Sequence, residues 1–138
     1  MRLPTTILLA CLAFAPMGCG SSDDLQRVVV SGRVTFKGQP VEFGQLRFKP
    51  ESSTRGPVTI APVREGKYLA DNQGGVPVGE HIVEILSYDM KAVNGKWPDG
   101  PGSNPPPQIL PAKFNTQSQL TVSIDGTKAI THDFDLTP

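Results

Sequence analysis

Cysteine is nearly missing from this chain: among 138 residues only Cys11 and Cys19 carry thiols, and none follows position 19. No disulfide can staple the chain beyond that point, and no thiolate is there to hold zinc. Net charge is missing too, since 13 basic side chains balance 13 acidic ones without forming a cationic cluster. The long-range attraction for nucleic acid is therefore absent, and no nucleic-acid partner is expected. Aromatics are sparse, one Trp and two Tyr beside six Phe, which leaves little for an aromatic platform. The longest apolar run, residues 7–15, is too short for a bilayer-spanning helix of about 20 residues. Nowhere do apolar residues recur at three and four over a helix-length window, so amphipathic helices are not expected.

The N-terminus reads as an address. Arg2, the apolar run and the small residues Gly18 and Gly20 form the pattern of a secretory signal peptide over residues 1–18. Cys19, directly after Gly18, resembles the cysteine of the bacterial lipobox, which is diacylated and becomes the new N-terminus. The resemblance implies a lipoprotein carrying palmitate-type chains on Cys19, anchored in the cell envelope and facing the periplasm or the exterior. Each buried acyl CH₂ contributes about 0.8 kcal/mol, so such chains hold a protein on a membrane unaided by its fold. Cys11, after Leu8-Leu9-Ala10, ranks second because cleavage there would leave almost no apolar segment. An ordinary signal peptide with an incidental cysteine is the plain alternative.

Residues 19–27 then read as a short polar tether, and residues 28–138 as one domain. Val28, Val30, Gly32, Val34 and Phe36 share one face of a half-buried strand. Lys37-Gly38-Gln39-Pro40 is turn chemistry, and a second strand follows over residues 43–49, with Leu46 and Phe48 opposite Gln45, Arg47 and Lys49. Residues 58–63 form a third strand that Pro62 shortens or confines to an edge. Glu65-Gly66 turns into a fourth strand over residues 67–70. Residues 81–88 are apolar on both faces and predict a central strand covered on both sides. Leu120, Val122 and Ile124, then Asp125-Gly126, then Ile130, His132, Phe134 and Leu136 predict a hairpin. The expected fold is all-β, a sandwich of about seven strands.

Three local patterns carry a resemblance: Val30-Ser31-Gly32-Arg33-Val34 with Gly38-Gln39-Pro40, Gly66-Lys67-Tyr68, and Val76-Pro77-Val78-Gly79-Glu80-His81. Together they look like the prealbumin-like, carboxypeptidase regulatory-like (transthyretin-like) sandwich, with His81 where that family has an aromatic. The resemblance implies a Greek-key topology and resembles single-domain bacterial surface lipoproteins. It implies no chemistry, because the shared residues are turn glycines and core positions. The chain ends Asp135-Leu136-Thr137-Pro138 without the C-terminal motif of the related urate-pathway hydrolases. It also lacks the inward lysine and final-strand asparagine of isopeptide-forming adhesin domains.

Candidate chemistry is thin. His81 and His132 fall on inward positions, yet two imidazoles are not a metal site without further ligands. Asp133 and Asp135 share one face of the last strand and read as its solvated side. No catalytic, metal or cofactor set is expected, so the chain reads as non-enzymatic. The Pro/Gly-rich segment 89–111 differs: it holds six prolines and the lone Trp97, a length that in compact domains is usually functional or disordered. Ile109, Leu110 and Phe114 are expected to dock it back on the core. Trp97 is the candidate partner-binding residue of a structural or protein-binding module. A glycan-binding accessory module using the Trp97 loop is the alternative.

Overall fold

The computed structural model describes residues 25–100, 102–126 and 128–138. In chain order the strands are β1 (Arg27–Val28), β2 (Val30–Phe36), β3 (Gln39–Pro40), β4 (Phe43–Pro50), β5 (Thr59–Arg64) and β6 (Lys67–Ala70). They continue with β7 (Val76–Pro77), β8 (Gly79–Ser87), β9 (Thr121–Ile124), β10 (Ile130–Thr131) and β11 (Phe134–Leu136). Seven of these eleven strands are three residues or longer, and helical structure among the described residues is confined to three short 3-10 turns. The described residues form an all-β fold, and no described helix is long and apolar enough to cross a membrane.

Two turns define the meander. Lys37 and Gly38 have φ of 53° and 73°, and Glu65 and Gly66 have 50° and 73°. Two consecutive positive φ values make a turn whose twist matches paired strands, and glycine occupies its second position without Cβ strain. Between them β4 alternates as its sequence does, with Leu46 and Phe48 buried and Gln45, Arg47 and Lys49 half-buried on the other face.

The main sheet runs β10-β2-β6-β5-β4-β8-β9, with β3 and β11 also on β2, while β1 and β7 form a separate pair. Strands β5 and β6 touch only at Val63–Tyr68 and Arg64–Lys67, beside their turn. The sheet therefore folds over there, and β2, β6, β10 and β11 face β5, β4, β8 and β9. Val30, Val34, Tyr68 and Phe134 from one side meet Leu46, Phe48, Val83 and Ile85 from the other in a single core. The rings of Phe48, Tyr68 and Phe134 follow one another at 6.2 and 6.0 Å across it.

Several expectations are corrected. The hairpin at Asp125-Gly126 does not form: β9 pairs antiparallel with β8, whereas β10 and β11 pair in parallel with β2. Each run has its own apolar face to bury, and crossing from one side of the core to the other buries both. Strand β8 is covered on one face only. His81, Val83 and Ile85 are buried, but Ile82 and Leu86 stay half-exposed beside Glu84, which binds Arg47 and Lys49 at 3.1 and 2.7 Å. Strand β5 runs through Pro62, which sits opposite Gln45. The ladder survives because the missing N–H is on the side that β6 has already left.

Sheet pairing starts at Arg27, whose neighbour Gln26 accepts a hydrogen bond from the Val78 N–H at 3.0 Å. His132 is half-buried in the break between β10 and β11, its ring 4.7 Å from Phe134. Its carbonyl accepts from the Tyr68 hydroxyl at 2.6 Å, and the Arg33 N–H donates to Asp133 Oδ1 at 2.7 Å. Gly32 makes room for this break: a Cβ there would collide with the His132 carbonyl oxygen and lie 2.7 Å from its carbon.

Candidate functional site

The long loop has a built neck. Tyr88 bridges to Gln108 in antiparallel fashion, the Asp89 N–H donates to Pro107 O, and the Ile109 N–H donates to Ser87 O, the last two at 2.9 Å. Gln108 adds a clamp, since its Oε1 accepts from the Ser87 N–H at 2.7 Å and the Leu110 N–H at 3.2 Å. Leu110 and Phe114 dock on the core as expected, Phe114 meeting Phe36 edge-on at 6.2 Å. Ile109 does not, being 53% exposed. In a bonded antiparallel rim adjacent side chains take opposite faces, so Leu110 can turn inward only if Ile109 turns out.

Beyond the neck the chain turns back on itself. Asp89 Oδ1 accepts from the Lys91 and Ala92 N–H groups, and the Gly95 N–H donates to Met90 O at 2.7 Å. Asn94 and Gly95, both with positive φ, finish the reversal. This returns Trp97 to the outer face of the sheet. There its ring stands nearly perpendicular to Tyr88, centroids 5.0 Å apart at 86°, and tilts 32° against Phe43 at 6.2 Å. On the Phe43 ring sits the Arg64 guanidinium, 3.9 Å from the centroid, while its Nη1 donates to Val63 O at 2.8 Å. Such a cation over a ring face contributes about 0.5–1 kcal/mol at an exposed site.

Four segments thus build one aromatic assembly: Phe43 opens β4, Arg64 closes β5, Tyr88 follows β8, and Trp97 comes from the loop. Trp97 keeps 46% of its surface exposed. Phe43 and Tyr88, which hold Trp97, also line a cleft of about 600 Å³ together with Phe36, Val41, Met90 and Leu110 and the charged Glu42, Asp89 and Lys91; Trp97 itself is not in its lining. Burial raises the Tyr88 pKa, partly opposed by Arg47, so the phenol stays protonated and able to donate at neutral pH. The arrangement offers apolar walls and a few polar rim groups, the makeup of a binding surface. Sequence reading had singled out Trp97 alone. In the sequence Phe43 and Tyr88 stand only at the ends of the runs 43–49 and 81–88, and nothing local marks Arg64.

The two histidines are not brought together. His81 is fully buried against Phe48, and His132 lies against Phe134, so they stand at opposite ends of the ring series His81, Phe48, Tyr68, Phe134, His132. His81 Nδ1–H donates to Gly79 O at 3.0 Å, and Nε2 is buried without a protein partner. Burial lowers its pKa, with the Gly79 carbonyl, Glu80 and Glu51 pulling more weakly the other way. Asp133 is engaged by Arg33 and Asp135 by the Thr35 hydroxyl, so both outward acids serve the β2–β11 seam. Among the described residues no group of three His, Cys, Asp or Glu is placed to hold a metal. Cys19, the lipidation candidate, lies outside the described residues. In comparisons with known proteins, no family model, curated protein or solved structure matches the chain.

Proposed function

We propose that this chain is a lipid-anchored, non-enzymatic module of the cell envelope, held by a diacylated Cys19 and facing the periplasm or exterior. Its domain is read as a Greek-key, prealbumin-like sandwich, a reading supported by the motifs around Gly32, Gly66 and Gly79 and compatible with an all-β chain folded over one core. Its work is to bind a protein partner through the Trp97 face. One observation carries this: a large, half-exposed indole is clamped by Tyr88 and Phe43 beside an apolar cleft, in a loop whose neck is secured by backbone bonds. Holding an aromatic in place before binding lowers the ordering cost of association, and tryptophan is enriched at interface hot spots.

A glycan ligand is the weaker reading. Sugar rings stack on flat, coplanar aromatic surfaces, whereas Trp97 and Tyr88 stand at 86°. A photo-crosslinker placed at the exposed Lys96 in living cells is expected to yield one discrete protein adduct that disappears in Trp97→Ala. Failure to form an adduct, or a Trp97 emission shift on adding soluble polysaccharide, would count against protein binding. Radioactive fatty acid incorporation, lost in Cys19→Ala, tests the anchor separately.

A further inference from the structure

We infer that the open edge of β9 is the seam at which a second copy of this chain joins, by antiparallel pairing of β9 with β9 about a two-fold axis. The inference goes beyond the reading above and needs neither the Cys19 anchor nor the Trp97 face. Strand β9 ends the main sheet, with β8 as its neighbour on one side and, among the described residues, no strand on the other. The Val83 N–H donates to Leu120 O at 2.8 Å, which extends the ladder back to Leu120 and fixes which way each residue faces. Backbone groups alternate along a strand, so those of Leu120, Val122 and Ile124 point to β8. Those of Thr121 and Ser123, both exposed residues, point outward and meet no described strand.

A bare edge of this kind is what folded chains ordinarily guard with charge, proline or a break. This molecule guards its others. Where β5 and β6 part they carry Pro62 and Lys67, β3 carries Pro40, and the β10–β11 edge is broken at His132-Asp133. Strand β9 reads Thr-Val-Ser-Ile, uncharged and without proline or glycine. Its occupant follows from its own symmetry. With the axis through Val122, Thr121 of each copy lies opposite Ser123 of the other, and the outward N–H and C=O groups of both residues are satisfied reciprocally. The side chains agree with that register. Val122 meets Val122 on the core face, Ile124 meets the half-buried Leu120, and Thr–Ser pairs form on the outer face. The first charge past the strand, Asp125, comes opposite Gln119, so the pairing sets no like charges against each other. Strand β9 covers Gly79–Ile82 of β8, whereas Tyr88 and Trp97 lie past Ser87, so both copies keep their Trp97 faces open and the pair is bivalent.

The test follows the full chain in non-ionic detergent, from about 1 µM to about 1 mM, by sedimentation velocity and by amide hydrogen exchange read at single residues. A two-copy mass that grows with concentration is expected, with exchange at the Thr121 and Ser123 amides slowed at least about tenfold while Val122 and Ile124, already bonded to β8, barely change. Thr121→Lys/Ser123→Lys sets lysine opposite lysine at exposed positions outside the core. It should sediment as one copy at every concentration with an unchanged circular dichroism spectrum. The variant keeps the same N-terminus, so sharing of a micelle cannot account for a difference between the two. A single-copy mass throughout overturns the inference. So does a two-copy mass that leaves Thr121 and Ser123 unprotected or survives in the variant, since the contact then lies on another face. Protection at every dilution in a single copy overturns it as well, because the chain's own residues would then cover the edge. Should the variant lose its strand signal, the mass and exchange of the unaltered chain decide alone.

Discussion

Replacing Gly32 by alanine is expected to do far more damage than a single methyl suggests. Ordinarily alanine in a strand interior is better than glycine by about 0.5–1 kcal/mol. Here the new Cβ would lie 2.7 Å from the His132 carbonyl carbon and 3.0 Å from Asp133 Oδ1, with the carbonyl oxygen closer still. Backbone cannot yield as a flexible side chain does, so the segment between β10 and β11 must move off β2. That movement breaks the Tyr68–His132, Arg33–Asp133 and His132–Ser31 hydrogen bonds, now 2.6, 2.7 and 2.8 Å long. Each such bond contributes about 1 kcal/mol, and leaving the buried Tyr68 hydroxyl without a partner costs about 1–3 kcal/mol. With the Tyr68 bond counted only through its stranded hydroxyl and the other two bonds at about 1 kcal/mol each, the loss is about 3–5 kcal/mol, a large share of the 5–15 kcal/mol typical of a domain. Equilibrium urea unfolding followed by Trp97 fluorescence measures it. The control is Gly38→Ala, at positive φ but with nothing within 4 Å, which carries only the backbone penalty of about 1–2 kcal/mol. A Gly32→Ala protein within 1 kcal/mol of the unaltered one, or less affected than Gly38→Ala, would refute the account of this seam.

Two further outcomes are expected. His81 has a lower pKa folded than its ordinary value of about 6.5, so below pH 6.5 the unfolded chain binds more protons. Stability from this group is therefore complete above pH 6.5 and falls as pH drops, by up to about 1.4 kcal/mol per unit. Between pH 6.5 and 5.5 His81→Leu should flatten the slope measured by urea unfolding, and identical slopes would sink the assignment. Gln108→Ala removes the acceptor of the Ser87 and Leu110 N–H groups and should cost about 1–2 kcal/mol at the neck. Limited proteolysis within residues 90–107 should accelerate accordingly, and unchanged cleavage would show that the clamp does not hold the loop.

What could be read along the chain was local. The alternation of Leu46 and Phe48 with Gln45, Arg47 and Lys49 depends only on a period of two, and the turns at Lys37-Gly38 and Glu65-Gly66 only on adjacent residues. Each appears where the sequence points. Apart from Ile109, whose outward turn follows from alternation with Leu110, the misreadings are non-local. Asp125-Gly126 has hairpin chemistry, but a two-residue signal cannot reveal that β2 offers a better place for Phe134 and Leu136. Residues 81–88 are apolar on both faces, yet no sequence pattern shows that Glu84, bound to Arg47 and Lys49, sits on an uncovered side.

The candidate site divides along the same line. Trp97 and the proline-rich loop stand out from composition, because an isolated indole among turn formers is conspicuous in one dimension. Phe43, Arg64 and Tyr88 do not, since what makes them a site is the fold that carries three strand ends and the Trp97 loop to one pole. Alternation and turn chemistry are properties of neighbours and are written into the order of residues. Which strand lies beside which follows from burying two apolar faces in one core, a balance struck only once the chain has closed on itself.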